Sequence, residues 1–553
     1  MRFVRPHPLS TFGWSLLGAL ALTLSLPPVG FYPLAWGALV PILLRWSLRT
    51  PSWAYVRELY ALFLTTACCA GFWLLFNPDL TRALLGGLGL LLAPLPLVAA
   101  MTLSSAVRAR FGTAAGLTSL VLGVLSTEFL LLQGPVRVPW LLLGHTQAGA
   151  LPFVQTADLG GVLMVSLWVL LLNAVAFVGV AFRPGTREPL LDRGLVAGIF
   201  GALAVLPAAY GAVRINQTQQ PSGYLTVGLI QPGMPASTWD DVTDGSKVDY
   251  VAGLSDNLLD TAPRAPAAPV QPAALDPDAP TLGYGTDAPG RRSPDLLVWP
   301  RATVASDLDA ERRQRLFSRL ALWSAGRGVS VLTGAVLTDA PADPDLPPRF
   351  ANAALLFTPG ERAAGRYDQM VTLPVIETVP VDPVTRARRA ERALGTQHVV
   401  FDVRGTGVAA LVGFESLFGD HVRRFAQREA DVFVVLAQND AWGRVGSIDQ
   451  QMGVSRLRAI ETRRPVVVST VSGTSALITP DGRVQEAAGW MQQGLVSLDV
   501  PTLRMGSFYT AHGDWLGGLA LGLGLVLHGG LLVAARLGLL THWRPARPAP
   551  PPF

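Results

Sequence analysis

Apolar residues fall in long runs toward both ends of the chain and in short runs between them. A bilayer core of about 30 Å takes about 20 apolar residues as a helix. Seven stretches before residue 215 read as such helices, roughly 11–27, 31–46, 58–76, 83–104, 114–132, 160–182 and 194–213, and an eighth lies near 515–540. Further spans follow the first, so it reads as a retained helix and not as a removed signal segment. Pro94 and Pro96 fall inside the fourth run and predict a kink, which a bundle interior tolerates.

From Gly223 the pattern shortens. Runs rich in β-branched residues at 225–231, 295–299, 329–337, 353–357, 399–403, 408–412, 431–437 and 465–470 predict strands. Helical patterns at 307–326, 417–429 and 449–463 separate several of them. Strands alternating with helices predict an α/β domain. Residues 262–293 are rich in Pro, Ala, Asp and Gly and read as a flexible insertion, as does the Pro-rich tail 545–552. The expected order is a seven-helix transmembrane bundle (1–215), an α/β domain (216–513), an eighth transmembrane helix (514–541) and a short Pro/Arg tail (542–553).

Composition agrees with a membrane protein. Half of the 553 residues are hydrophobic and only 15% are charged, too apolar for an ordinary soluble protein. The net charge of +5 is spread out, with no basic stripe interleaved with aromatics to suggest nucleic acid. The two cysteines, Cys68 and Cys69, adjoin inside an apolar run, where they staple nothing, and no metal-ligand spacing exists. Lys247 is the only lysine. Arginine therefore sets orientation. Arg2 and Arg5, then Arg45, Arg49 and Arg57, then Arg108 and Arg110, then Arg183, Arg187 and Arg193, then Arg544 and Arg547 all fall on one side of an eight-span path. The other side holds isolated arginines such as Arg82 and Arg137. By the positive-inside rule both termini are cytoplasmic and residues 215–513 face outward. In the outward loop 133–160, Trp140 reads as an interfacial anchor, and His145, with no visible partner, as a solvated histidine.

Several stretches carry more specific signals. Leu297-Val-Trp-Pro300 closes a strand, and Gly365-Arg-Tyr-Asp368 leads to Leu373-Pro374 and Glu377-Thr-Val-Pro380. Gly413-Phe-Glu-Ser-Leu-Phe418 follows the strand 408–412, at the place where an α/β enzyme usually presents its nucleophile. Asn439-Asp-Ala-Trp442, Arg456-Leu-Arg-Ala-Ile-Glu-Thr462 before Arg464-Pro465, and the turn Pro480-Asp-Gly-Arg483 come next. Pro139-Trp-Leu-Leu-Leu-Gly144 and Ala157-Asp-Leu-Gly-Gly161 belong to the membrane part. In this order and spacing the set resembles the apolipoprotein N-acyltransferases over nearly the whole chain. The resemblance implies an eight-span α-helical membrane protein of the cytoplasmic (inner) membrane, with an extracytoplasmic α/β nitrilase-like sandwich before the last span. It implies no cofactor, and phospholipid and diacylated lipoproteins as partners. Such enzymes move an acyl chain from a phospholipid onto a cysteine, then onto the α-amino group of a lipoprotein's diacylated N-terminal cysteine. Their set is a glutamate base, a lysine for the oxyanion and a cysteine nucleophile.

Position by position, that set is substituted. Arg301 follows Trp299-Pro300 where the resemblance places glutamate, Gln369 stands for lysine, and Gly413 for cysteine. No cysteine lies in residues 70–553, and Lys247 is far from the motif. A glycine offers no atom to acylate, an arginine stays protonated, and a glutamine is neutral. Residual candidates are Glu377, Glu415 and Ser416, with Trp239, Trp442 and Tyr367 as substrate-binding residues by resemblance. Each glutamate reads equally as a group ordering backbone N–H donors, and each tryptophan as packing. Ser416 is either a replacement nucleophile or, as favoured here, the N-cap of the helix expected at 417–428. The reading is a catalytically degenerate family member that binds lipid or lipoprotein; the alternative is an active acyltransferase with a nucleophile other than cysteine.

Overall fold

A computed structural model describes residues 11–48, 52–76, 80–133, 137–140, 142–181, 193–218, 221–261, 293–304, 310–339, 349–361, 365–373, 377, 391–437 and 446–537. The expected insertion, apart from its last residue, and the expected tail both lie outside the described residues, as does Trp442.

The bundle is helical but more broken than the hydropathy pattern predicts. Helix α1 (Thr11–Ser25) is followed by a 3-10 turn at Tyr32–Trp36 and then α2 (Val40–Leu48), where a single span at 31–46 was expected. The backbone freed by this break is satisfied by Asn173, whose Oδ1 accepts from Leu39 N (2.8 Å) and whose Nδ2 donates to Ala35 O (2.7 Å). Irregular backbone at bundle depth needs such partners because lipid supplies none. Helix α3 (Trp53–Gly71) runs into a 3-10 turn at Phe72–Phe76, and α4 (Leu80–Leu92) follows. Pro94 and Pro96 interrupt the apolar stretch Leu80–Leu132, as expected. They sit at the N-cap and in the first turn of α5 (Leu95–Leu132), where a missing N–H costs no intrahelical bond. The change of direction within α5 occurs at Gly112 (φ 89°).

A 3-10 turn at Leu143–Gln147 and the short α6 (Leu151–Val154) lead into α7 (Ala157–Ala181) and α8 (Arg193–Gln217). Among the described residues five helical stretches, Trp53–Phe76, Leu80–Leu132, Ala157–Ala181, Gly194–Gln217 and Trp515–Ala534, are long and apolar enough to cross a membrane. Trp46, Leu59, Leu62, Met101, Val169 and Phe177 form the bundle core. Within it Arg45 donates twice to Glu58 (2.8 and 3.1 Å), so both charges are paired where water is scarce.

The second half is an α/β sandwich of two sheets. The strands are β1 (Gly223–Gln231), β2 (Leu296–Val304), β3 (Ser330–Asp339), β4 (Arg349–Phe357), β5 (Gly365–Asp368), β6 (Glu391–Arg392), β7 (Phe401–Val403), β8 (Thr406–Val412), β9 (Val432–Ala437), β10 (Val466–Thr470), β11 (Ser475–Ile478), β12 (Val484–Ala488) and β13 (Gly494–Thr502). One sheet runs β13-β1-β2-β3-β4-β5, with β6 beside β4; the other runs β12-β11-β10-β9-β8-β7. Central pairs are parallel and edges antiparallel. The two sheets share one core, with Leu229 and Val298 facing Val412, Val434 and Val468. Helices α9 (Ala236–Asp241), α10 (Asp244–Thr261) and α11 (Ala310–Arg327) accompany the first sheet. Val251, Leu254 and Leu320 cover its outer face against Leu297, Trp299 and Leu355. Helix α12 (Gly419–Ala426) and α13 (Ser447–Thr462) cover the second sheet.

Helix α13 has two apolar faces. Ala459 packs on the sheet, whereas Leu457 and Ile460 pack with Leu142, Val162 and Leu163 of the bundle and with Leu516. Leu516 belongs to the last helix, α15 (Trp515–Arg536), which follows the short α14 (Phe508–His512). The polar part of this seam is built around Arg463, fully buried, at the left-handed C-cap of α13 (φ 54°). Its guanidinium donates to Asp158 Oδ2 (2.7 and 3.2 Å), to the Gln155 carbonyl (3.2 Å) and to Gln155 Oε1. Asp158 also accepts from Arg214 (2.7 Å) and Tyr210 (2.7 Å) of α8. Beside it Glu461 accepts from Val162 N (3.0 Å) and Arg458 (2.8 Å). Gly161 (φ 67°) lets the Tyr509 ring approach, since a Cβ there would lie 2.5 Å from it. The motifs Ala157–Gly161 and Arg456–Thr462 are thus the joint between bundle and sandwich.

Two expectations for the loop before α6 are corrected. His145 is not solvated: it is only 5% exposed, because the chain folds back over the bundle end and Leu142 and Leu143 bury themselves. Glu128 Oε1 accepts from Leu143 N (2.7 Å) and pins the turn. Burial, then the charge of Arg458, push the His145 imidazole down to about 3. Trp140 stacks edge-on against Trp73 (5.4 Å) and Phe414 (6.2 Å), so its ring closes a protein contact between bundle and sandwich.

Asp158→Ala should cost about 3–5 kcal/mol, because it strands Arg463 as a buried charge. Thermal unfolding of the detergent-solubilised chain checks this; an unchanged midpoint would remove the seam's central role. His145 binds its proton near pH 6.5 when unfolded and only near pH 3 when folded, so it withdraws stability as the pH falls through that window. Relative to His145→Gln, the native chain should lose about 2 kcal/mol between pH 7 and pH 5, read from denaturant midpoints of both proteins.

Candidate functional site

Strand β8 is buried along its core positions because Val408 to Val412 are apolar on both faces, as a central parallel strand requires. It ends at Gly413, whose N–H still bonds Leu436 O (2.9 Å) across to β9. Gly413 then turns with φ 65°, a conformation that disfavours side chains. A 3-10 turn, Glu415–Leu417, follows, and α12 begins at Gly419 with Phe418 at its N-cap. Ser416 is therefore not the helix cap that the sequence suggested. It is fully buried, and its Oγ accepts from Gln451 Nε2 (3.4 Å).

The structure brings positions 413, 369 and 377 together. A Cβ on Gly413 would lie 2.7 Å from Glu377 Oε1 and 3.4 Å from Gln369 Nε2. Gln369 Nε2 donates to Glu377 Oε1 (3.0 Å) and to Val371 O (3.1 Å), while its Oε1 accepts from Asn352 Nδ2 (2.8 Å). Glu377 Oε2 accepts from Leu373 N (2.8 Å). Both side chains are buried. The carboxylate, the two amides and the empty glycine position thus form one closed polar knot.

Glu415 stands behind it with no exposed surface. Oε1 accepts from Tyr367 Oη (2.8 Å), Met370 N (2.7 Å) and Val371 N (3.1 Å), and Oε2 accepts from Val412 N (2.8 Å). His421 Nε2 lies 3.3 Å from the carboxylate and 3.4 Å from Tyr367 Oη. This carboxylate ties the segment after β5 to the end of β8 and so holds Gln369 over Gly413. Tyr367 is fully buried, and burial followed by the Glu415 charge drive its phenol pKa upward. It serves here as a fixed donor.

Arg301 is half-buried on β2, just after Trp299-Pro300, where the register slips between Trp299 and Val304 and Ala302 takes φ 56°. Trp239 lies elsewhere. It is buried in the core outside the first sheet with Val248, Val251 and Trp299, and the Lys247 ammonium sits over its ring (5.6 Å).

Several groups at the site escaped the sequence reading. Asn352 is a lone amide in an apolar strand, which was the available signal. Trp73 and Gln450 gave none, because they come from opposite halves of the chain: Trp73 Nε1 donates to Gln450 Oε1 (3.3 Å), and Gln450 Nε2 to Ala70 O (2.7 Å). Trp73, Leu74 and Leu90 of the bundle form an apolar wall with Leu373, Phe414 and Phe418 of the sandwich. This apolar cluster adjoins a polar knot made of one carboxylate and two amides. It presents no thiol, since the cysteines are Cys68 and Cys69 in α3.

Residues 18–175 match the family model of the apolipoprotein N-acyltransferase N-terminal domain, and residues 305–509 that of carbon-nitrogen hydrolases. The chain is 26% identical over 527 residues to the apolipoprotein N-acyltransferase of Geobacter metallireducens, covering 90% of this chain and 91% of that protein. It is 24% identical over 551 residues to the one of Chlorobaculum tepidum, covering 94% and 96%. Among solved structures, a mutant amidase of the nitrilase superfamily from Nesterenkonia AN1 is 16% identical, with a TM-score of 0.36 over 51% of this chain and 92% of that one.

Glu415→Gln would turn one carboxylate oxygen into a donor facing backbone or phenol donors. It should cost about 1–3 kcal/mol and speed amide exchange at Met370, Val371 and Val412. Exchange rates equal to those of the native chain would mean that Glu415 does not tie these segments together.

Proposed function

The chain belongs to the apolipoprotein N-acyltransferase family, and we propose that in this member the acyl-thioester chemistry has lapsed while lipid binding is kept. The observation that carries the proposal is Gly413. The family mechanism needs a sulfur there, and the space its Cβ would enter is held by the Glu377 carboxylate at 2.7 Å. A second substitution removes the cation: Gln369 is neutral and already committed to Glu377, Val371 and Asn352. A third removes the base, because Arg301 stays protonated. Groups that act as one unit fail together, so loss of the nucleophile alone is enough to stop the reaction.

In this reading the protein sits in the cytoplasmic membrane with eight spans, both termini inside and the nitrilase-like domain outside. The one-sided arginine clusters support it. Its ligands are phospholipid acyl chains or diacylated lipoproteins, held against the wall of Trp73, Phe414 and Phe418. The alternative, an active enzyme using Ser416, has no activating base at hydrogen-bond distance among the described residues: the hydroxyl accepts from the Gln451 amide, which cannot take a proton from it.

Expression in a strain depleted of its own N-acyltransferase, with mass spectrometry of lipoprotein N-termini, tests the proposal. No rescue and no acyl adduct on the purified chain are expected, and Gly413→Cys alone should gain none while Glu377 fills the site. Triacylated lipoproteins made by the native chain would overturn it, and their loss in Ser416→Ala would identify the nucleophile.

A further inference from the structure

Helices α12, α13 and α14 and the head of α15 meet at a buried cluster of charge that is separate from the knot at Gly413. Glu461 on α13 has no exposed surface. Its Oε1 accepts from Arg458 (2.8 Å) and from Val162 N of α7 (3.0 Å). Its Oε2 is buried without a hydrogen-bond partner, and so is Arg458 Nε. Tyr509 on α14 is buried too and donates to Asp514 (2.9 Å), which precedes α15 and also accepts from Gln133 at the end of α5 (3.4 Å). Gly419, the first residue of α12, shows how closely these groups converge. A Cβ there would lie 2.4 Å from Arg458 Nη1, 2.5 Å from Tyr509 Oη and 3.0 Å from Glu461 Oε2.

Two carboxyl groups, Glu461 and Asp514, thus share the guanidinium of Arg458. The neighbouring cations are engaged elsewhere: Arg423 of α12 holds Asp420 (2.7 Å) and Arg463 holds Asp158 (2.7 Å). His145, across Arg458 on the bundle side, adds no charge, because burial and then Arg458 keep its imidazole neutral. An ionised Glu461 would leave Oε2 as a buried charged acceptor with no donor, which is costly. A protonated Oε2 is a donor beside the Tyr509 phenol, whose own hydrogen goes to Asp514. Burial pushes the Glu461 carboxyl up to about 8, against the pull of Arg458, and the Asp514 charge adds to the rise. Burial raises Asp514 as well, but it is only half-buried and lines a cavity of about 200 Å³ with Arg137, Gly419 and Asp420. Asp514 is therefore the member of the pair that can stay ionised.

We infer that Glu461 keeps a proton in the folded chain and acts as an alkali-sensitive latch between the sandwich and the last membrane helix. Losing the proton sets two negative groups against one guanidinium and frees α14 and Asp514 from α13. The same groups line the cavity at the seam, so release widens it. The sign follows from linkage. Below the ordinary value of 4.5 the closed and open forms are both protonated and the latch holds fully; its hold falls as the pH climbs to about 8 and then levels off.

The experiment uses the full chain in detergent. Infrared difference spectra between about pH 7 and about pH 10 should show the carbonyl stretch of a buried carboxylic acid, lost at high pH and missing from Glu461→Gln. Amide exchange at 508–513, corrected for its intrinsic pH dependence, should lose protection about tenfold between about pH 7 and about pH 9. Glu461→Gln, which cannot ionise, should keep its protection throughout. Asp514→Asn, which stands in if that variant misfolds, should shift loss of the acid band to lower pH. A native chain without the acid band, or protection that falls equally in native and Glu461→Gln chains, overturns the latch. An unmoved midpoint in Asp514→Asn overturns the pairing of the two carboxyl groups.

Discussion

A guanidinium removed from water holds the two halves of this protein together. Arg463 has no exposed surface, and a charge in that position is tolerated only where every donor is matched. Asp158 supplies the counter-charge and Gln155 the remaining acceptors, both from the segment that opens α7. Because α8 also reaches Asp158 through Tyr210 and Arg214, one carboxylate ties two bundle helices and the sandwich. The position of the site follows from this joint. Helix α13, which carries Arg458 and Glu461, also presents Gln450 to Trp73 and Gln451 to Gly413. With α13 fixed, the end of β8 faces the apolar wall of the bundle.

The site itself is orderly in spite of its substitutions. Glu415 gathers donors from two stretches of chain, Tyr367 to Val371 and the end of β8 at Val412, and so fixes one against the other. In front of it Gln369 bonds both Glu377 and Asn352, and Glu377 also accepts from Leu373 N. A buried amide–carboxylate knot of this kind is stable because each group finds a partner in a low-dielectric setting.

Much of the fold was legible along the chain. Eight predicted strands correspond to strands β1–β4 and β7–β10, because buried parallel strands are continuous β-branched runs with little ambiguity. Strands β5, β6 and β11–β13 were missed. β13, whose Leu495-Val-Ser-Leu-Asp-Val500 alternates, carried a period-two signal; the short β11 and β12 lie either side of the expected turn at Pro480–Arg483. The membrane part was legible as apolar length and less so as helix ends. The prolines at 94 and 96 did mark the break between α4 and α5, because a ring without an N–H cannot sit inside a helix without cost.

The sequence by itself determined which atoms are available: no thiol beyond residue 69, an arginine and a glutamine at two expected catalytic positions, and enough apolar length for a membrane bundle. Those are facts of composition and order, and no folding can alter them. Tertiary structure alone decided what the remaining polar groups do. Glu415 became a brace, Ser416 a buried hydroxyl, His145 a desolvated imidazole, and Arg137 a cation facing a cavity. Each outcome depends on partners and on water excluded by segments far away in the chain, and local spacing does not encode either.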